Sequence, residues 1–234
     1  GTRMLAESVQ VVLFDAVGTV IYPQPSIADA YVNIGSRFIE DLDPDEVLRR
    51  FKLVFSRVFS AENAQSPVTE SSTVESWRQV VEGTFPEFED TEGALFQQLW
   101  DHFADSRSWE VYDDVAECFT RIRSQGIQIG IASNFDSRLE RIVNLDPVLS
   151  QAEYVFHSAQ LGWNKPAVGF CDGITKRLGL QPNQIVLVGD RLDNDIQPAL
   201  AAGWQGIWID REEIGPAAPI PKEVQRIVTL NELS

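Results

Sequence analysis

A valine-rich apolar run from Gln10 to Phe14 is too short for a helix and predicts a strand buried on both faces. It stops on a lone carboxylate, Asp15, and breaks into the turn Val17-Gly18-Thr19. After Tyr22 the texture changes: between Ser26 and Ala104 apolar residues recur at helical spacing in about four blocks. "DLDPDEVLRRF" is the clearest start, with Asp43 as N-cap, Pro44 at the first helical position and Glu46 at the reciprocal capping position. The breaks "AQSPVTESS" and "PEFEDTEG" set off "TVESWRQVVEGTF" and "GALFQQLWDHF" as the third and fourth helices.

Beyond Trp109 the pattern alternates. A helix is expected from about Tyr112 to Ser124, stopped by Gly126, then a strand "IQIGIAS", a helix from Ser137 and a strand near "YVFHS". A helix from Pro166 to Leu178, a strand "QIVLVGD", a helix "NDIQPALAAG" and a strand "QGIWID" complete the series. Repeated strand-helix units of this length predict an α/β fold, a Rossmann-like parallel sheet with helices on both faces. The four-helix block is then an insert after the first strand, giving a core of residues 1–22 and 109–234 and a helical domain of residues 23–108. Hinges are expected near Tyr22 to Pro25 and Asp105 to Trp109.

Composition narrows the partners. The 234 residues carry a net charge of −16 with no Lys/Arg block, which argues against nucleic acid and anionic membrane and for a small-molecule substrate. Cys118 and Cys171, the two cysteines, both fall in helical segments, so neither a disulfide framework nor a cysteine zinc site is expected. The opening "GTRMLAESVQ" lacks an apolar signal core and no later run is long enough to span a bilayer, so a cytoplasmic protein is expected.

In an open parallel sheet, ligands bind in the crevice at the carboxyl ends of the strands. Polar residues follow strand ends at four places: Asp15, then Ser133-Asn134, then Lys165, then Gly189-Asp190 with Asp195 five residues on. Singly, each has a plain reading. An Asp or Ser at such a junction is often a helix cap, and a lysine before proline is often a solvated loop residue. In this order and all at strand ends, they are expected to converge on one crevice. His102 and His157 are isolated and read as structural. Trp77 and Trp100 fall at helical core positions, whereas Trp109 and Trp163 flank the hinge and the Lys165 loop, where they could wall a pocket.

The ordered set "FDAVGT", "IASN", "NKP" and "VGDRLDND" resembles the four motifs of the haloacid dehalogenase-like hydrolase superfamily, and the insert resembles its helical type 1 cap. The likeness covers nearly the whole chain; "SIADAYVNIGSRF" and "TVESWRQVVEGTF" further resemble the type 3 subfamily of haloacid dehalogenase-like domain-containing proteins. It implies a hydrolase with Asp15 as nucleophile, Ser133 and Asn134 as donors to a phosphoryl oxygen, and Lys165 as a fixed positive charge. Thr19 belongs to the turn beside the substrate. The resemblance also implies Mg²⁺ held by Asp15, Asp190 and the Val17 carbonyl, with Asp195 as a third ligand or a holder of metal-bound water.

Val17 departs from the family pattern. Phosphatases of the superfamily usually have an aspartate there, which protonates the leaving alkoxide and then activates water; valine does neither. Acyl and aryl phosphates, whose leaving groups need no proton, would be least affected. The 2-haloacid dehalogenases read "FDAYGT" at this place, so a metal-independent dehalogenase is the alternative, with a catalytically weak phosphometabolite- or partner-binding member as another. The paired acids of "VGDRLDND" favour Mg²⁺ and the phosphatase. A dehalogenase would need a substrate-binding arginine among Arg37, Arg49, Arg50, Arg57 and Arg78, and a phosphonate hydrolase would need Lys52 at the crevice.

Overall fold

A computed structural model describes residues 3–60 and 62–234; residues 1 and 2 of the expected core and residue 61 of the expected helical domain lie outside the described residues. Strand β1 (Val11–Phe14) leads through a tight turn to β2 (Ile21–Pro23). Four helices follow: α1 (Ile27–Gly35), α2 (Pro44–Val58), α3 (Glu70–Thr84) and α4 (Ala94–Ala104). The chain returns through β3 (Trp109–Val111), α5 (Val115–Ser124), β4 (Gln128–Ser133), α6 (Arg138–Leu145), β5 (Tyr154–His157) and α7 (Ser158–Leu161). It ends with α8 (Val168–Leu178), β6 (Ile185–Gly189), α9 (Gln197–Ala201), β7 (Gln205–Ile209) and β8 (Gln225–Ile227).

The main sheet is parallel throughout, in the order β5-β4-β1-β6-β7-β8. β1 is central, with Phe14 level with Ile131 on one side and Val188 on the other. All four of its residues are buried because each strand face has its own helical layer. Val12 and Phe14 pack with Cys118, Phe119 and Ile122 of α5, while Val11 and Leu13 pack with Phe170, Cys171 and Ile174 of α8. Truncating such a side chain costs about 2–5 kcal/mol, so the strand that ends on Asp15 is held on both faces.

The helical block has an apolar core of its own, in which Tyr31, Phe51, Val80 and Leu99 represent all four helices. Gly83 lets α3 close on α2: a Cβ there would sit 2.6 Å from Cγ2 of Val54. Asp43 caps α2 through the Asp45 N–H, as expected. Glu46 does not complete the reciprocal cap; its carboxylate accepts hydrogen bonds from Arg49 and Arg50 of the same helix, a stronger charged partnership than a backbone N–H.

Several short elements escape the pattern, among them the four-residue α7. β2 and β3 pair antiparallel, Ile21 with Val111 and Pro23 with Trp109, at the two crossings between sheet and helical block. This pairing, extended by Tyr112 N donating to Val20 O, keeps residue 112 extended and delays α5 to Val115. The expected "NDIQPALAAG" helix is divided: Leu192–Ile196 form a single π turn before α9. β8 was not anticipated, since three residues carry too few alternations to register as a strand. Among the described residues, no helix is long and apolar enough to cross a membrane.

Candidate active site

Because the strands are parallel and in register, β1, β4 and β6 end together and bring Asp15, Ser133 and Asp190 to one edge. Asp15 N donates to Val188 O, which continues the ladder one residue past the strand and leaves the carboxylate at the crevice. The Lys165 side chain is fully enclosed and reaches the same point from the loop after α7. Its Nζ donates to Oδ1 of Asp15 at 2.8 Å, Oδ1 of Asp195 at 2.6 Å and the Ala132 carbonyl at 3.1 Å. Burial works against the ammonium charge, yet the carboxylates of Asp15 and Asp195 outweigh it and raise the Lys165 pKa above the ordinary lysine value.

Carboxylate oxygens of Asp15, Asp190 and Asp195 lie within 4.8 Å of one another. Three acids share one buried ammonium, so the centre carries excess negative charge when all are ionised. Burial, and then the charges of Asp15 and Asp195, push the Asp190 pKa above the carboxylate range. Burial and Asp15 do the same for Asp195, with Lys165 opposing them. An oxygen-only donor set with surplus negative charge suits a hard divalent cation. Both Asp195 oxygens are already engaged, Oδ1 by Lys165 and Oδ2 by the Arg191 N–H at 3.2 Å. Asp15, bonded by Lys165 through Oδ1 alone, and Asp190 have oxygens free to face a cation, while Asp195 holds Lys165.

The turn after Asp15 is shaped to this cluster. Gly18 has φ +88°, and a Cβ on it would collide with the Asp190 carboxylate. Thr19 is fully buried, and Val17, half-buried, packs against the apolar core that includes Trp109. Ser133, also buried, ends β4 in register with His157. Asn134 is turned to a different task from the one expected: Oδ1 accepts from Lys165 N at 2.6 Å and from Ser158 Oγ at 3.2 Å, while Nδ2 donates to Lys165 O at 3.0 Å.

A family pattern described as haloacid dehalogenase-like hydrolase matches residues 9–203. The chain belongs to this family. A zebrafish (Danio rerio) haloacid dehalogenase-like hydrolase domain-containing protein 3 is 23% identical over 86% of this chain and 85% of that protein. Similarity also extends to a glyceraldehyde 3-phosphate phosphatase of Methanopyrus kandleri, 30% identical over 43% of each. Among solved structures, a defluorinating L-2-haloacid dehalogenase superposes with a TM-score of 0.77 at 21% identity, covering 99% of this chain and 97% of that one, a likeness of fold.

Within this haloacid dehalogenase-like hydrolase the helical block touches the sheet layer through polar contacts. Val68 N donates to Gly162 O, Glu70 accepts from Ser137 N and Oγ, and Arg138 stacks on Trp100 at 3.4 Å while paired with the buried Asp136. Trp100 therefore packs the block and also receives a residue of the sheet layer. Trp77 packs inside the block, as expected. Trp163 does not stand free as a pocket wall; its indole lies against Gly169 of α8. Trp109 is nearly buried, donating Nε1–H to Phe103 O and packing against Phe135. His157 is structural: Nδ1 accepts from Gln160 N, so Nε2 carries the proton toward Glu140.

Of the block's arginines, Arg37 is held by Gln98, Arg49 and Arg50 by Glu46, and Arg78 by Glu75. Lys52 lies on the exposed face of α2. Two polar residues that the motifs did not mark also join the edge: Ser158, which braces Asn134, and Arg211, beyond β7. The position of Arg211 directly after the strand signal "QGIWID" was the available clue.

Proposed function

We propose that this hydrolase is a Mg²⁺-dependent phosphatase that acts on a small phosphorylated molecule through Asp15. The observation that carries the reading is the trio Asp15, Asp190 and Asp195, with oxygens within 4.8 Å of one another, in which buried Asp15 and Asp195 share the Lys165 ammonium and half-buried Asp190 stands beside them. A carboxylate oxygen of Asp15 attacks phosphorus, and the bond to the leaving oxygen breaks with its electron pair departing on that oxygen. Water then attacks the aspartyl phosphate, releasing phosphate and restoring the carboxylate. Lys165 holds Asp15 in line and sets positive charge beside the transferring group. Ser133 donates its hydroxyl to a phosphoryl oxygen, and Asn134 fixes the backbone that carries Lys165.

Asp15, Asp190 and the Val17 carbonyl would hold the metal, with Asp195 anchoring Lys165 beside it. Bound Mg²⁺ supplies positive charge against the phosphoryl oxygens and relieves the repulsion among the carboxylates. Val17, packed against the apolar core, offers no proton to the leaving group. Residues 23–108 act as a cap over a core formed by 1–22 and 109–234, with β2 and β3 as the hinge pair. Two free, buried cysteines support a reducing, cytoplasmic setting. The charge balance argues against nucleic acid and anionic membrane as partners.

The alternative, a metal-independent 2-haloacid dehalogenase, rests on Val17. Against it stand Asp190 and the partners that hold Arg37, Arg49, Arg50 and Arg78 within the helical block. The deciding experiment is hydrolysis of p-nitrophenyl phosphate and acetyl phosphate with and without Mg²⁺, with Asp15→Asn as the blank. Metal-dependent turnover that vanishes in the variant supports the phosphatase. Absence of turnover on both, together with halide release from 2-chloropropionate, replaces it with the dehalogenase; absence of all three activities favours the weak binding member.

A further inference from the structure

A fifth strand end reaches the edge where Asp15 and Asp190 sit. β7 lies beside β6 with Trp208 level with Gly189, and two residues past its end comes Arg211. Its guanidinium joins segments far apart in sequence. Nη1 and Nη2 donate to Oδ2 and Oδ1 of Asp114, each at 2.9 Å, and Nη2 donates also to the Thr19 carbonyl at 2.6 Å. The guanidinium carbon sits 3.8 Å from the centre of the Tyr112 ring. Asp114 is itself braced by Thr229 Oγ1 and Leu230 N, both at 2.9 Å. A planar fork can hold both oxygens of a carboxylate with parallel N–H bonds while it donates to a carbonyl and lies flat on an aromatic ring.

What Arg211 grips is the turn that leaves Asp15. Among the described residues, no other side chain hydrogen-bonds the backbone of residues 16–21. Gly18, one residue before the gripped carbonyl, is pressed against the Asp190 carboxylate, so any shift of the turn changes where the Asp190 oxygens can lie. Tyr112 and Asp114, on the other side of the guanidinium, follow β3, the strand by which the chain returns from the helical block.

We propose that Arg211 is a positioning residue that locks the Val17–Thr19 turn against Asp190 and thereby sets the affinity of the Mg²⁺ site. The inference rests on the metal reading given above for that site and assigns Arg211 no contact with substrate. A purely structural ion pair would lower the melting temperature on removal and leave the turn and the metal affinity as they were.

The test uses the full chain as wild type, Arg211→Ala, Arg211→Lys and Arg226→Ala. Arg226 pairs with Asp210, the residue before Arg211, and does not touch the turn, so it reports the loss of a neighbouring ion pair. Amide hydrogen exchange of residues 16–21 and calorimetric Mg²⁺ titration are measured well below each melting temperature. Arg211→Ala is expected to speed exchange in the turn and weaken Mg²⁺ binding by about 10–100-fold, the range for removing a group that orients a metal ligand. Arg211→Lys should show the same two effects to a lesser degree and stands in if the alanine variant does not fold. Arg226→Ala should lower the melting temperature alone. Turn protection or Mg²⁺ affinity unchanged in both Arg211 variants overturns the proposal. A wild type that binds no Mg²⁺ at millimolar concentration overturns the metal reading and the affinity claim with it, and the exchange data then judge the turn alone.

Discussion

Asn134 and Lys165 are joined through the backbone, with both ends of the Asn134 amide closed on residue 165: Oδ1 accepts its N–H at 2.6 Å and Nδ2 donates to its carbonyl at 3.0 Å. The loop after β4 therefore places the lysine that neutralises Asp15. Asn134→Ala should lower kcat by about 10²-fold, the cost of a catalytic group misplaced by about 1 Å, with a much smaller change in KM. Steady-state kinetics on acetyl phosphate measures it; a rise in KM at unchanged kcat would instead assign Asn134 to substrate binding.

Lys165→Ala leaves Asp15 and Asp195 buried without their cation. Breaking one side of a buried pair costs about 3–5 kcal/mol, and the loss should be full at about pH 8 and smaller at about pH 5, where protonation of Asp195, raised to about 6, relieves the repulsion. Urea unfolding at the two pH values decides it. Equal losses at both would mean that the ammonium serves packing and not charge balance.

Asp190 and Asp195 have pKa values raised in the folded state by burial and by neighbouring carboxylates. A raised carboxylate favours the folded form below the unfolded value of about 4, and that stabilisation is lost as pH climbs through the folded value. The metal-free protein should therefore lose stability from this centre between about pH 4 and about pH 8, through Asp195 at about 6 and then Asp190 at about 8. Saturating Mg²⁺ competes with the protons, so its stabilising effect should be larger at about pH 8 than at about pH 5. Melting curves with and without Mg²⁺ test this, and Asp190→Asn should flatten the dependence.

Val17→Asp tests the missing acid. Restoring a proton donor should raise turnover of alkyl phosphates by about 10²-fold while changing acetyl phosphate little, because acetate leaves without a proton. Equal gains on both substrates would show that the new carboxylate acts through the metal site and not on the leaving group.

The core strands were legible as short apolar runs closed by polar or turn residues, and most helices because blocks of eleven to fifteen residues repeat a period often enough to be read. β2, β3 and β8 were not, since three-residue strands are held by a partner distant in the chain and not by their own periodicity. The reach of Glu46 toward Arg49 and Arg50 was likewise a competition between partners that a capping pattern does not resolve.

Asp15 and Asp190 could be marked from the sequence because each follows a strand signal directly and parallel strands end at a common edge, while Lys165 and Asp195, farther along, were marked by the motifs "NKP" and "VGDRLDND". Val17 was visible in the same way, as an apolar residue where a proton donor is usual. Only the tertiary structure decided that Asn134 grips the Lys165 backbone, that both Asp195 oxygens are engaged, and that Arg211 holds the turn after Asp15. These depend on side-chain directions and hydrogen-bond partners brought together from segments 30 to 192 residues apart, and neither local propensity nor hydrophobic period encodes which partner wins.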